Sequence, residues 1–539
     1  MLCAVLAVAL FAHLLVTQQP VFTDEFLILG NFWDFVTGPT IIPDHTAYPT
    51  LFSYLSAPLT GAFVALLVAA GTPPALQDVS EWFALRPEMA MFPARVVSLL
   101  CWCVCVWAVY RMGREMLGGS SRGLIAAAAL AAAIGPLEYS GYGLPDVAMM
   151  MFAALALLHA LRLVRAERWR RSALLAGLMA GLAMATKYTA VALLIPLVAA
   201  LLVMPGPARR RAWAAQRLAG TTLLGFIVGC PGWVIAPVHF WQGLASERAH
   251  MALGHLGYFG LPLLGQLELL VTADPILLVL AIVGAVMLMR ARRTHRAELI
   301  VLGALVAAVL LMTAPAKKQS LQYLFALYPA LALLAAGCAA PARGRSRASV
   351  SAVLAVALLV VAGWGMVWSG RVALLPDSLV VSRQWINGRL PAGAVVAVDW
   401  IDVPRLVEQE ELDSLRADLQ SGFVRSAYAG LRGFPSVKIS YDDNFLRDGT
   451  ADWIITSSTC YARFFQSGLF TRRPPPTGSP LRAQFDARRE FYRALQEGRY
   501  GWRLAHEAST GNGPRVRIYR RNGLSTGSLA DLGVLSPPA

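Results

Sequence analysis

Long apolar stretches separated by short polar ones recur from the first residue to about residue 368. Each is near the length a helix needs to cross the hydrocarbon core of a bilayer, roughly 20 residues. The pattern predicts about eleven transmembrane helices, at residues 1–17, 96–110, 123–139, 147–163, 172–186, 189–204, 218–236, 267–289, 298–313, 321–339 and 348–368. Beyond 376 the period changes. Short β-branched runs at 394–398, 437–441, 453–456 and 516–519 alternate with helical patterns such as 490–497, which predicts a small α/β domain over 376–523. Residues 524–539, rich in Gly, Ser and Pro, read as a mobile tail. The fold class expected is therefore an α-helical polytopic membrane protein, with a membrane domain over 1–370 and a small C-terminal α/β domain, and no repeat relates the halves of the membrane region.

Charge orients these spans. Five short loops hold Arg111, Arg114 and Arg122; Arg162, Arg165, Arg168, Arg170 and Arg171; Arg209, Arg210, Arg211 and Arg217; Arg290, Arg292, Arg293 and Arg296; and Arg343, Arg345 and Arg347. Only Glu115, Glu167 and Glu298 oppose them, so the loops read as cytoplasmic. The spans then alternate without conflict. This gives a multi-pass plasma (inner) membrane protein with its N-terminus in the cytoplasm and its C-terminal domain extracytoplasmic. Residues 51–70 are apolar enough to cross, yet counting them would invert every later loop. Parity places them as an interfacial or re-entrant helix inside a first outer loop, 18–95. Residues 1–17 lack a preceding Lys or Arg and a good cleavage site, so they read as an anchor rather than a signal peptide.

Composition agrees: 57% hydrophobic against 15% charged residues excludes an ordinary soluble protein. The net charge of +15 resides largely in the inner loops, which argues against nucleic acid as the partner. Seven scattered cysteines make no disulfide framework.

The charges on the outer side carry the candidate chemistry. Asp24 and Glu25 follow the first span closely, with Asp34 and Asp44 later in the same loop. Asp146 sits where an outer turn enters the next span, a place that also suits a helix cap. Arg95, Lys187, Arg248 with His250 and His255, and Lys317 with Lys318 lie on this face against the positive-inside trend. A cation where topology disfavours it calls for a partner, and an anion such as a lipid phosphate fits. His239, His250 and His255 match no common metal spacing.

In these residues the chain resembles the GT-C superfamily of membrane glycosyltransferases, in particular its bacterial protein O-mannosyltransferase and lipid A aminoarabinose transferase branch. The matching pieces are Asp24-Glu25, Tyr48-Pro49-Thr50-Leu51, Ala94-Arg95 through Ser98, Gly143 to Asp146, Gly181 through Lys187-Tyr188, and Lys317-Lys318 through Tyr323 to Pro329. Thr50 departs from the pattern, standing where a second proline is usual. The resemblance implies a GT-C fold and transfer of a hexosyl or pentosyl group from a polyprenyl-phosphate donor to a glycolipid, polysaccharide or protein acceptor at the outer face. On that reading Asp24, Glu25 and Asp146 are catalytic: Asp24 is the base, Glu25 orients it or makes it a stronger base by like-charge repulsion, and Asp146 binds the sugar or acceptor. Arg95, Lys187, Arg248, Lys317, Lys318 and Tyr323 face the donor phosphate. No nucleotide loop or cofactor is required, and a divalent metal is left open. The rival class is a transporter or flippase for a lipid-linked substrate, which would place its charges near the midplane and show repeated halves.

Overall fold

The computed structural model describes residues 24–37, 41–71, 79, 83, 87–253, 256, 261–339 and 375–522, apart from single residues and short internal stretches of which 407–432 is the longest. The spans expected at 1–17 and 348–368, and the tail 524–539, lie outside the described residues. Two compact units divide the chain: Met1–Pro376 with Ser467–Arg473, and Asp377–Gln466 with Pro474–Ala539.

The first unit is helical. Its main helices are α1 (Glu25–Thr37), α2 (Leu51–Ala69), α3 (Pro87–Leu117), α4 (Ser120–Ala131), α5 (Pro145–Val164), α6 (Trp169–Thr186), α7 (Leu194–Val203), α8 (Ala208–Gly229), α9 (Pro237–Leu253), α10 (Pro262–Ala273), α11 (Pro275–Arg290), α12 (Arg292–Thr313) and α13 (Tyr328–Ala336). Four helical segments in the described residues are long and apolar enough to cross a membrane: α2, Met89–Leu117 within α3, α5, and His295–Thr313 within α12. The α10–α11 pair makes a fifth if its two halves count as one span.

Several stretches read from sequence as continuous spans are broken. The expected span at 267–289 becomes α10 and α11, bent by 103° at Asp274-Pro275, because Pro275 has no N–H to give and its ring clashes with the preceding turn. The span at 218–236 ends as α8 at Gly229, ahead of Pro231. The span at 123–139 breaks after Ala131, and a short helix, Ile134–Tyr139, follows. A broken helix in apolar surroundings must find partners for its freed backbone groups. Buried Asp274 supplies them: its carboxylate accepts from the N–H of Ile134 at 2.7 Å and of Gly135 at 3.4 Å, and from the Tyr328 hydroxyl at 2.7 Å.

Close backbone approach holds α6 against α8. A Cβ added at Gly177 or Gly181 would overlap the carbonyl oxygens of Leu218 and Thr222, so small residues one turn apart are what permit the contact. Helix α5 is buried along most of its length and packs on α3 and α6. It runs antiparallel to α6, since its first turn meets the end of α6.

The second unit is α/β. Its five-stranded sheet has the order β2-β1-β3-β5-β4, with β1 Val396–Val398, β2 Ser436–Lys438, β3 Trp453–Ser457, β4 Trp502–Ala508 and β5 Val516–Arg521. Strand β1 pairs in parallel with β2 and β3, whereas β5 runs antiparallel to β3 and β4. Helix α14 (Ser378–Arg389) is capped by Asp377, whose carboxylate accepts from the Leu379 N–H at 2.6 Å. Helix α15 (Pro480–Gln496) buries Phe485, Phe491, Tyr492 and Leu495.

Candidate active site

Glu25 opens α1 and is fully buried. Its carboxylate grips Arg95 of α3 with two bonds, Nε to Oε1 at 2.9 Å and Nη2 to Oε2 at 2.8 Å, and accepts the Gly143 N–H at 2.6 Å. A planar guanidinium met bidentately is the strongest form of this pair. Gly143 is needed for the approach, because a Cβ there would lie 2.7 Å from the Ala94 Cβ. One carboxylate thus ties together three pieces of chain: α1, α3 and the turn that enters α5. Asp24 immediately precedes it, and Asp146 follows Gly143 by three residues.

Asp146 lies in the first turn of α5, where Pro145 suits the fixed φ of a helix start and the helix dipole favours a negative charge. Its partner is Lys187, whose Nζ contacts Oδ1 in an ion pair that is almost wholly buried. Lys187 ends α6 in an extended conformation, φ −153° and ψ 128°, which turns its side chain out of the helix line toward Asp146. The ammonium also faces two rings, 5.8 Å from the centroid of Tyr48 and 5.3 Å from that of Tyr323. The Tyr48 hydroxyl donates to Asp24 Oδ2 at 3.2 Å. Asp24, Tyr48, Lys187 and Asp146 therefore form one array. Burial, reinforced by the Asp24 and Asp146 carboxylates, holds the Tyr48 phenol well above its usual pKa, so it stays a donor.

Lys318 joins from the loop before Tyr323, its Nζ 6.0 Å from the Tyr323 ring. Burial lowers its pKa, while the carboxylates of Glu247 and Asp24 pull the other way. Main-chain bonds fix that loop: the N–H groups of Lys317 and Lys318 donate to Met251 O at 3.0 and 3.2 Å, and Gln266 donates to Lys318 O at 3.2 Å. Beside the array lies a cavity of about 640 Å³, lined by Tyr48, Lys187, Tyr188, Thr189, Glu247, Arg248 and Tyr323, with Leu244, Met251, Met312 and Pro315 completing its walls. The Tyr323 hydroxyl and Thr189 Oγ1 are buried without a hydrogen-bond partner among the described residues. Leaving such groups unpaired costs roughly 1–3 kcal/mol each, a cost that a polar ligand would remove.

The structure gathers Asp24, Asp146, Lys187, Lys318 and Tyr323. It places exposed Arg248 on the cavity wall and leaves the Lys317 side chain exposed. Glu25 and Arg95 face each other rather than the cavity. His255 lies outside the described residues, as does the His250 side chain. Sequence reasoning singles out neither Glu247 nor Thr189, and Tyr188 enters it only as part of the matching stretch that ends Lys187-Tyr188. Glu247 stands beside Arg248 in plain view, but nothing local distinguishes it from a solvated acid. Among the described residues no three His, Cys, Asp or Glu are gathered as metal ligands.

Residues 82–241 match the family described as dolichyl-phosphate-mannose-protein mannosyltransferase. Among solved structures, the fold is shared with ArnT from Cupriavidus metallidurans bound to undecaprenyl phosphate, at 15% identity and a TM-score of 0.51, over 98% of this chain and 99% of that one. The same protein in the apo state matches at 16% identity and a TM-score of 0.50, over 86% of this chain and 94% of that one. The apo Archaeoglobus fulgidus oligosaccharyltransferase matches at 10% identity and a TM-score of 0.50, over 94% of this chain and 80% of that one. No curated protein matches the chain in sequence at a significant level. The chain thus carries that family's pattern over residues 82–241 and shares the fold of ArnT and of the oligosaccharyltransferase.

Proposed function

We propose that the protein transfers a sugar from a polyprenyl-phosphate donor to an acceptor hydroxyl at the extracytoplasmic face of the inner membrane. The observation that carries this reading is the array Asp24–Tyr48–Lys187–Asp146 beside a largely apolar cavity. The bound undecaprenyl phosphate of the ArnT structure supports the donor class, and the arginine-rich loops at the other helix ends support the orientation.

Asp24 takes the proton of the acceptor hydroxyl as its oxygen attacks the anomeric carbon. The bond from that carbon to the phosphate oxygen breaks, and the electron pair leaves on the polyprenyl phosphate. Lys187, Lys318 and Arg248 stabilise the charge that grows there. The Tyr323 and Thr189 hydroxyls gain their missing partners from donor oxygens. Asp146 holds Lys187 in place, and Glu247, on the cavity wall, is available to sugar hydroxyls. Glu25 and Arg95 position Asp24 rather than touch substrate.

The test is sugar transfer by the purified protein with a polyprenyl-phosphate sugar and a glycolipid extract. Asp24→Asn should lower turnover by about 10²- to 10⁴-fold, the usual worth of a positioned base, while donor affinity stays near wild type. Full activity in a folded Asp24→Asn protein would remove Asp24 as the base. Glycolipids and glycoproteins compared between cells with and without the protein would identify the acceptor.

A further inference from the structure

A second cavity, of about 750 Å³, lies at the opposite ends of α5 and α6 from the Asp146–Lys187 pair. Four arginines line it, Arg111, Arg162, Arg168 and Arg171, together with Glu115 and His159. Glu115 is already spent: it bridges Arg111 at 2.9 Å and Arg162 at 2.6 Å, holding both guanidinium groups in place. Arg168 and Arg171 have no acidic partner among the described residues. The His159 Nδ1 is buried there without a hydrogen-bond partner.

Two more features separate this cavity from an ordinary basic loop. Ala166 and Arg168 both adopt positive φ, 58° and 43°, a conformation rare for side chains other than glycine and kept where surroundings enforce it. The bend sets Arg168 on the cavity wall. On the other side, Arg111 stacks 5.6 Å over the Trp107 ring. Leu100, Val104 and Trp107, one helical face of α3, are exposed and lead from the cavity along the apolar length of that helix.

We propose that this cavity binds the phosphate of an anionic glycerophospholipid of the facing leaflet. The arginines take the phosphodiester, and an acyl chain follows the Leu100–Val104–Trp107 face. That apolar track is what favours a lipid over a free phosphate, since a soluble anion has no use for it. Basic cavities between membrane helices on the arginine-rich side suit anionic headgroups.

Native mass spectrometry of the full-length protein in detergent tests this, with phosphatidylglycerol or phosphatidylcholine added. Phosphatidylglycerol should be retained preferentially. A double variant, Arg168→Gly with Arg171→Gln, should weaken that retention roughly thirtyfold, the factor two lost cation contacts give. Glycine suits the backbone at 168, so the fold is preserved. Neutralising Arg209, Arg210 and Arg211, which lie outside the cavity, should leave retention unchanged. Equal retention of the two lipids, or equal losses in the double and control variants, would overturn the proposal. Displacement of phosphatidylglycerol by millimolar inorganic phosphate would overturn the lipid source and assign the site to a soluble phosphate.

Discussion

Asp24 and Glu25 are neighbours in sequence with opposite circumstances. Glu25 has no exposure and three donors on its two oxygens, whereas Asp24 is half-buried and meets Tyr48 beside the cavity. Removing one partner of a buried ion pair leaves the other charge uncompensated, typically at about 3–5 kcal/mol. Glu25→Gln should therefore lower thermal stability by that order and reduce transfer by displacing Asp24, and Arg95→Lys, which keeps the charge but not the bidentate contact, should do so by less. Melting curves and turnover measured on the same preparations check this; unchanged stability would mean the pair is not what holds α1. The sequence made these residues visible as charges in unexpected places. It did not show who pairs with whom, because the partners stand 70 and 41 residues apart and are chosen by helix packing alone.

Hydropathy located most helices but not their breaks. A sliding apolar window runs through Pro275 without notice, although the missing N–H alone favours a fracture there, and it hides Asp274, the group that repairs the fracture, inside an apparent span. Strand β4 was missed for a related reason: Leu504 is exposed and the run WRLAHEA shows no clean alternation. Helix contacts governed by small residues are equally faint in a hydropathy trace. Gly181→Val should force α6 away from α8 and move Lys187, six residues on at the end of the same helix. The expected outcome is a lower melting temperature, together with a loss of transfer larger than partial unfolding explains. A variant with normal stability and turnover would show that the close approach is dispensable.

In the second unit, pH acts through Asp377. Burial pushes its carboxyl up to about 7, well above the value of an unfolded aspartate, about 3.9. A group shifted in that direction contributes stability that is fully present below pH 4 and is lost as pH rises through 7. Calorimetry of the full-length protein should show the transition of this unit falling over that window, with Asp377→Asn, an equally good cap, flattening the dependence. At the scale of the whole chain, the antiparallel pair α5 and α6 carries an ion pair at one end and a nest of arginines at the other. Twenty residues of α5 rise about 30 Å, close to the thickness of a bilayer's hydrocarbon core. Both polar ends can reach headgroup level together only where the membrane matches that length; a thinner or thicker bilayer must tilt the pair or deform around it, at fractions of a kcal/mol per Å. Membrane thickness, set by acyl-chain length, thereby becomes a gauge against which this protein's two ends are held.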